Sequence, residues 1–228
     1  YGGSGELAGT LSTAAQTNVT SLGTLSSLVL AGNITGVSNL YVADDIGHTG
    51  DSDTYLSWDA NNLSIYNGGV QSMYMNASEV VVNDGSGDVD FRVESNNEAN
   101  AFVVNGGDDT ILIGTAVSDQ TVGITPRFQI EGTSKATGTM SVQRNSNDVY
   151  GPHLVLGKTR GTTVNSDTIV QDNDYLGVIT FSAADGTDRN SLAAGIHVLV
   201  DGTPGANDTP GRMVFLTTAD GANGPTDR

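Results

Sequence analysis

The sequence has no cysteine in 228 residues, so disulfides and thiolate metal sites are excluded and the redox compartment stays open. Long apolar runs are missing too: none approaches the ~18 residues of a membrane-spanning helix, and none has the layout of a secretory signal. The first residue is Tyr1 rather than Met, so an excerpt or a processed product is expected, with ends that need not be natural domain ends. Basic residues are few, nine Lys and Arg against 26 Asp and Glu. That balance argues against nucleic-acid binding, which needs clustered cations for phosphate contacts, and against an anionic membrane surface. Aromatic residues are 6% and charged residues only 15% of the chain, a poor supply for a conventional core or for a densely charged surface.

What fills the chain is glycine, 30 residues, or about twice ordinary usage, together with Ser, Thr, Asn and Asp. This is a turn-rich, short-strand composition. Wholesale disorder does not fit, because pairs of Val, Ile, Leu and Phe recur too regularly for a solvated coil. The net charge of −17 becomes −51 if three copies assemble, a self-repulsion that high ionic strength or divalent ions would screen.

A degenerate repeat opens the chain. Gly9-Thr10-Leu11-Ser12 through Asn18-Val19-Thr20-Ser21-Leu22 is followed by Gly23-Thr24-Leu25-Ser26 through Asn33-Ile34-Thr35-Gly36-Val37, at offsets of 14 and then 15 residues. Each unit holds only a few large apolar residues, so it cannot bury them alone. Such units are completed by a neighbouring repeat or by another copy of the chain.

From residue 38 the pattern changes to alternation. Thr54–Trp58, Leu63–Tyr66, Val70–Met75, Val80–Val82, Phe91–Val93, Ala101–Val104 and Ile111–Ile113 are strand candidates separated by Asn, Asp and Gly turns, the signature of successive hairpins. Residues 38–114 therefore read as one meander, and 115–126, ending at Pro126, as a linker. Beyond it, Phe128–Ile130, Met140–Val142, His153–Leu156, Gly177–Phe181, Ile196–Val200 and Met213–Leu216 are further strand candidates. Residues 188–194 form either a short helix or a connection. Two long loops, 157–174 and 201–211, stand out, because structureless connections of that length are uncommon and often functional.

Several motifs suggest chemistry and fail on inspection. Gly151 to Thr159 resembles a phosphate-binding loop but has one residue too many between its glycines, and Leu154-Val155-Leu156 reads as a strand. Asp84 to Asp90 alternates oxygen ligands as calcium loops do, but lacks glycine at the sixth loop position and has Ser95 where a bidentate Glu belongs. Gly106-Gly107-Asp108-Asp109 is a single copy of a motif that binds Ca²⁺ only when stacked. His48, His153 and His197 show no zinc or triad spacing. No cofactor, metal ligand or catalytic residue is expected. Trp58, Tyr55, Tyr66 and Tyr74 form a candidate sugar platform, but alternation puts Leu56 and Trp58 on the face opposite Tyr55, which favours an interior place for Trp58. For receptor contact the long C-terminal loops come first, with Arg160, Asn207 and Asp208 as candidates.

Thr10 to Leu25 resembles the degenerate repeat of bacteriophage tail fibres, particularly those of environmental and marine phages. His48-Thr49-Gly50-Asp51-Ser52-Asp53-Thr54-Tyr55-Leu56-Ser57-Trp58 and Asp90-Phe91-Arg92-Val93-Glu94-Ser95 resemble hairpin modules of the same proteins. Leu154 to Gly161, Leu176-Gly177, Asp201 to Asp208 and Gly211-Arg212-Met213-Val214-Phe215 are similar to the segment that often precedes their intramolecular chaperone domain. The ordered set covers most of the chain; no residues correspond to the chaperone itself.

The resemblance implies an all-β, elongated, intertwined homotrimer of short strands and hairpins: a stalk (1–37), a hairpin module (38–114), a linker (115–126) and a distal β-domain with long loops (127–228). It implies a non-enzymatic structural protein of the virion, extracellular, that mediates attachment to the host. Its partners would be two further copies of itself, other tail or baseplate proteins, and a host receptor that is a surface glycan or protein. The alternatives are a bacterial or archaeal surface adhesin or filament subunit and, third, a tailspike that depolymerises glycan with a pair of carboxylates.

Overall fold

The computed structural model describes residues 28–30 and 32–227; of the repeat expected over residues 9–37, residues 9–27 and 31 lie outside them. Two units separate, Tyr1–Ala43 and Asp44–Arg228. In the first, the described residues hold no strand, and Leu28, Val29, Ile34, Val37, Leu40 and Tyr41 are exposed.

The second unit is all-β, with no helix among the described residues. Strands β1 (Asp45–His48), β2 (Asp51–Asp59), β3 (Asn62–Asn67), β4 (Val70–Met75) and β5 (Val80–Val82) form an antiparallel five-stranded meander. The turns carry residues able to adopt positive φ, such as Asn61 at 67° between β2 and β3. Strands β6 (Phe91–Val93), β7 (Phe102–Asn105), β8 (Thr110–Ile113) and β9 (Phe128–Ile130) form a second sheet. Strands β10 (Tyr175–Ala183), β11 (Ser191–Val200), β12 (Gly211–Thr217) and β13 (Thr226–Asp227) form a third, antiparallel throughout.

The strands expected between residues 38 and 114 are all present, divided between two sheets. The break falls at the Asp84–Gly87 turn, where the Asn83 side chain receives the Gly87 N–H at 2.9 Å and donates to the Gly87 carbonyl at 2.7 Å. Strand β9 then joins β8 in parallel, so the segment read as a linker is a crossover within one sheet. It folds over that sheet: the Gln129 side chain accepts the Asp119 N–H and donates to the Pro126 carbonyl.

Three sequence expectations are corrected. Met140–Val142 and His153–Leu156 form no strand; residues 131–174 have no ladder at all. A strand needs a hydrogen-bonding neighbour as well as the right pattern, and the described chain offers these two none. The helix alternative for 188–194 is also excluded, because Leu192 and Ala194 pair with Ser182 and Phe181 in the β10–β11 ladder. Asp185 ends β10 there with a turn, accepting the N–H groups of Thr187 and Asp188.

Each sheet has one apolar, charge-free face. In the first, Ile46, Leu56, Ile65, Met73 and Val82 align across the strands, beside Trp58, Leu63, Met75 and Val80. In the second, Phe91, Val104, Ile111 and Phe128 align, flanked by Val93, Phe102, Ile113 and Ile130. In the third, Ile179, Ile196 and Phe215 align, with Val198 opposite Met213 and Phe181 opposite Ala194. None is fully closed over by its own chain: Ile46 is 44%, Val80 63%, Phe128 51%, Phe181 53%, Met213 59% and Phe215 52% exposed. The buried apolar residues are only Val103, Leu112, Val170, Leu199, Val200 and Leu216 among those described, against 34 exposed large ones.

Candidate functional site: two loops joined at the C-terminal sheet

The two long loops meet at the end of the third sheet. Loop 157–174 closes on itself first: the Thr159 hydroxyl and the Arg160 N–H both donate to the Thr168 carbonyl, at 2.9 and 3.1 Å. Arg160 then grips Asp174 through two parallel bonds of 2.6 and 2.7 Å, the bidentate geometry that makes such pairs both strong and directional. Asp174 also accepts the Gln171 N–H at 2.9 Å. With the Arg160 guanidinium as the largest cause and that amide next, the Asp174 carboxyl is held down at about 2.

The neighbouring residues tie this loop to the sheet and to the second loop. Asn173 donates its N–H to the Val200 carbonyl, and Val200 donates back to the Asp174 carbonyl. Asp172 accepts the N–H of Gly202 at 2.7 Å. Arg212 on β12 spans the junction, donating to the Asn173 side chain at 2.6 Å and to Asp201 at 2.9 Å. Loop 201–211 is closed at its base by the Asp201 N–H on the Pro210 carbonyl and at its tip by reciprocal backbone bonds between Gly205 and Asp208. Asn207 occupies the left-handed region there, φ 59°, which asparagine tolerates well.

The three candidate receptor residues thus have different places. Arg160 is engaged with Asp174 and fixes the loop base. Asn207 and Asp208 sit exposed at the loop tip, and no side-chain hydrogen bond holds either among the described residues. No bond joins Arg160 to that tip. Sequence reasoning missed Asp172, Asn173, Asp174 and Arg212, which connect the two loops; the Asp172-Asn173-Asp174 run just ahead of β10 was the available signal.

The aromatic candidates also divide. Tyr55 and Tyr66 stack at 4.6 Å between ring centroids, and burial, then Tyr66 and Asp45, raises the Tyr55 phenol pKa. Tyr74 bonds Asn62 and Asn76 from the same side of the sheet, while Trp58 lies on the apolar side. A cleft of about 550 Å³ lies beside β8 and β9, lined by Glu98, Ile113, Thr115 and Glu131 among others. Its Glu131 is paired with Arg189 at 2.9 Å, which also reaches Asp119 at 3.0 Å. No group of three or more His, Asp or Glu that could hold a metal occurs among the described residues.

The loop junction is pH-sensitive in a predictable direction. Because Asp174 is more acidic folded than the ordinary 3.8, its contribution is fully present above about pH 4 and is lost as pH falls through about 2. Amide exchange at Gln171 and Asn173 is expected to speed up over that window, and Arg160→Gln is expected to shift the change toward pH 4. A profile unaltered in the variant contradicts this role.

No protein-family model matches the chain, and no curated protein is significantly similar to it.

Proposed function

We propose that this chain is a subunit of a homotrimeric bacteriophage tail fibre that attaches the virion to its host. The observation that carries the reading is the set of three charge-free apolar faces, one on each successive sheet, that the chain leaves uncovered. Exposed apolar patches of this kind mark association surfaces. Three copies around a common axis turn the faces inward and bury them at about 25 cal/mol per Å², while the acidic residues stay outside and keep the particle soluble.

Attachment falls to the joined C-terminal loops. Asn207 and Asp208 offer amide and carboxylate groups suited to the hydroxyls of a surface glycan, or to polar groups of a surface protein. Three such sites on one fibre bind by avidity, so each can be weak. The ordered sequence modules favour the phage assignment over a surface adhesin, and gene neighbourhood separates the two: tail and baseplate genes in one case, secretion or anchoring genes in the other.

Mass in solution tests the assembly. A particle of about 70 kDa, three times 23.4 kDa, is expected, and it should become more stable as salt screens the net charge of −17 per chain. A persistent single-chain mass overturns the proposal.

A further inference from the structure

Of the two strand-like stretches that belong to no sheet, Met140–Val142 and His153–Leu156, the second lies beside an open sheet edge. His153-Leu154-Val155-Leu156 has the β-favouring composition of its neighbours, yet Leu154 and Val155 are 73% and 80% exposed and none of the four residues joins a backbone hydrogen bond. An acceptor of matching kind lies in the same chain. Strand β10, Tyr-Leu-Gly-Val-Ile-Thr-Phe-Ser-Ala, is the free edge of the third sheet, pairing on one side only with β11. It is nine residues long and carries no charge and no proline, the devices that ordinarily keep an edge from recruiting another strand. The other edge strands are shorter, two to four residues each.

Leu156 shows that the run lies beside this strand. A Cβ added at Gly177 would come within 2.8 Å of Leu156 Cβ, so the glycine leaves room for Leu156 to cross the apolar face. No ladder bond follows within the chain: Leu156 rests over the sheet, and the edge stays open.

We propose that residues 153–156 of one copy add as a strand to the outer edge of β10 in a second copy. The inference rests on the trimeric reading above and names the contact that links its subunits. Each chain carries both residues 153–156 and the open β10 edge, so each copy gives a strand and receives one. A head-to-tail contact of this type closes into a ring when the rotation allows, as three parallel copies require. Main-chain bonds supply the affinity and alternate side chains the register. Leu154 and Leu156 extend the apolar face of Ile179 and Phe181, and Val155 falls on the side of Val178 and Thr180.

The absence of native cysteine makes cross-linking a clean test. Val155→Cys is combined in one chain with Val178→Cys, Thr180→Cys or Ser182→Cys in turn, and the assembled protein is mildly oxidised. At least one combination is expected to give disulfide-linked dimers and trimers on a denaturing gel. Disulfides confined to single chains overturn the proposal, as does the failure of every combination in a particle that still weighs three chains; in both cases the trimer stands and strand exchange falls. A single-chain mass before oxidation overturns the fibre reading itself. Val155→Pro, which disturbs no ladder of its own chain, is expected to speed amide exchange on β10 by about tenfold or more in the assembled particle. Unchanged exchange would also sink the idea.

Discussion

Phe215→Asp is expected to leave each chain folded and to reduce the proposed trimer to single chains. Phe215 sits in the middle of the third sheet's apolar face, aligned with Ile196 and Ile179, and is 52% exposed in the single chain. The carboxylate therefore stays solvated in the monomer and costs it little. In the proposed trimer the same position would turn toward the shared axis, where three carboxylates would be brought together and desolvated. Removing ions from water without partners costs several kcal/mol each, more than the lost phenyl contacts themselves. Light scattering and circular dichroism decide the outcome together: a single-chain mass with strand content intact is expected. A variant that still assembles as three copies shows that this face is not the one the copies share.

Gly114→Ala is expected to lower the thermal midpoint by roughly 6–12 °C through the fold of a single chain. Gly114 follows β8 with φ at +82°, donates its N–H to the Asn100 carbonyl at 2.8 Å, and lies against the Glu131 carbonyl, which an added methyl would strike. Left-handed strain at a non-glycine residue costs about 1–3 kcal/mol, and the collision adds to it, since Glu131 is held by its own N–H on the Ile113 carbonyl. Relief requires β9 to move away from β8. That motion uncovers Leu112, now fully buried, and loosens the Arg189–Glu131 pair. A midpoint within about 2 °C of the parent, measured at matched protein concentration, contradicts the assigned role of this crossing.

The strands that could be read from residues were those with a partner a turn away. Leu63–Tyr66 and Val70–Met75 alternate cleanly and are separated by Asn67, Gly68 and Gly69, so local turn chemistry fixes both existence and pairing. The placement of Trp58 opposite Tyr55 followed from the same period of two. Strand β9 was recognisable as a strand but not as the parallel neighbour of β8, because a crossover of fourteen residues (114–127) leaves no local mark of direction. The same limit applied to Met140–Val142 and His153–Leu156, whose pattern is that of strands and whose backbone finds no neighbour within the described chain.

The candidate site was legible as two long loops and no further. Arg160 attracted notice as a cation in one of those loops. Its pairing with Asp174, fourteen residues away, and the bridge that Arg212 makes to Asn173 and Asp201 depend on how β10, β11 and β12 lie side by side. The sequence by itself determined the all-β character, the turn positions and the shortage of apolar residues relative to length, because those are local properties of composition and period. Only the tertiary structure decided that the sparse apolar residues align into one uncovered face on each sheet and that the two loops share one anchor, since cross-strand register and contacts between distant residues exist only once the chain is folded.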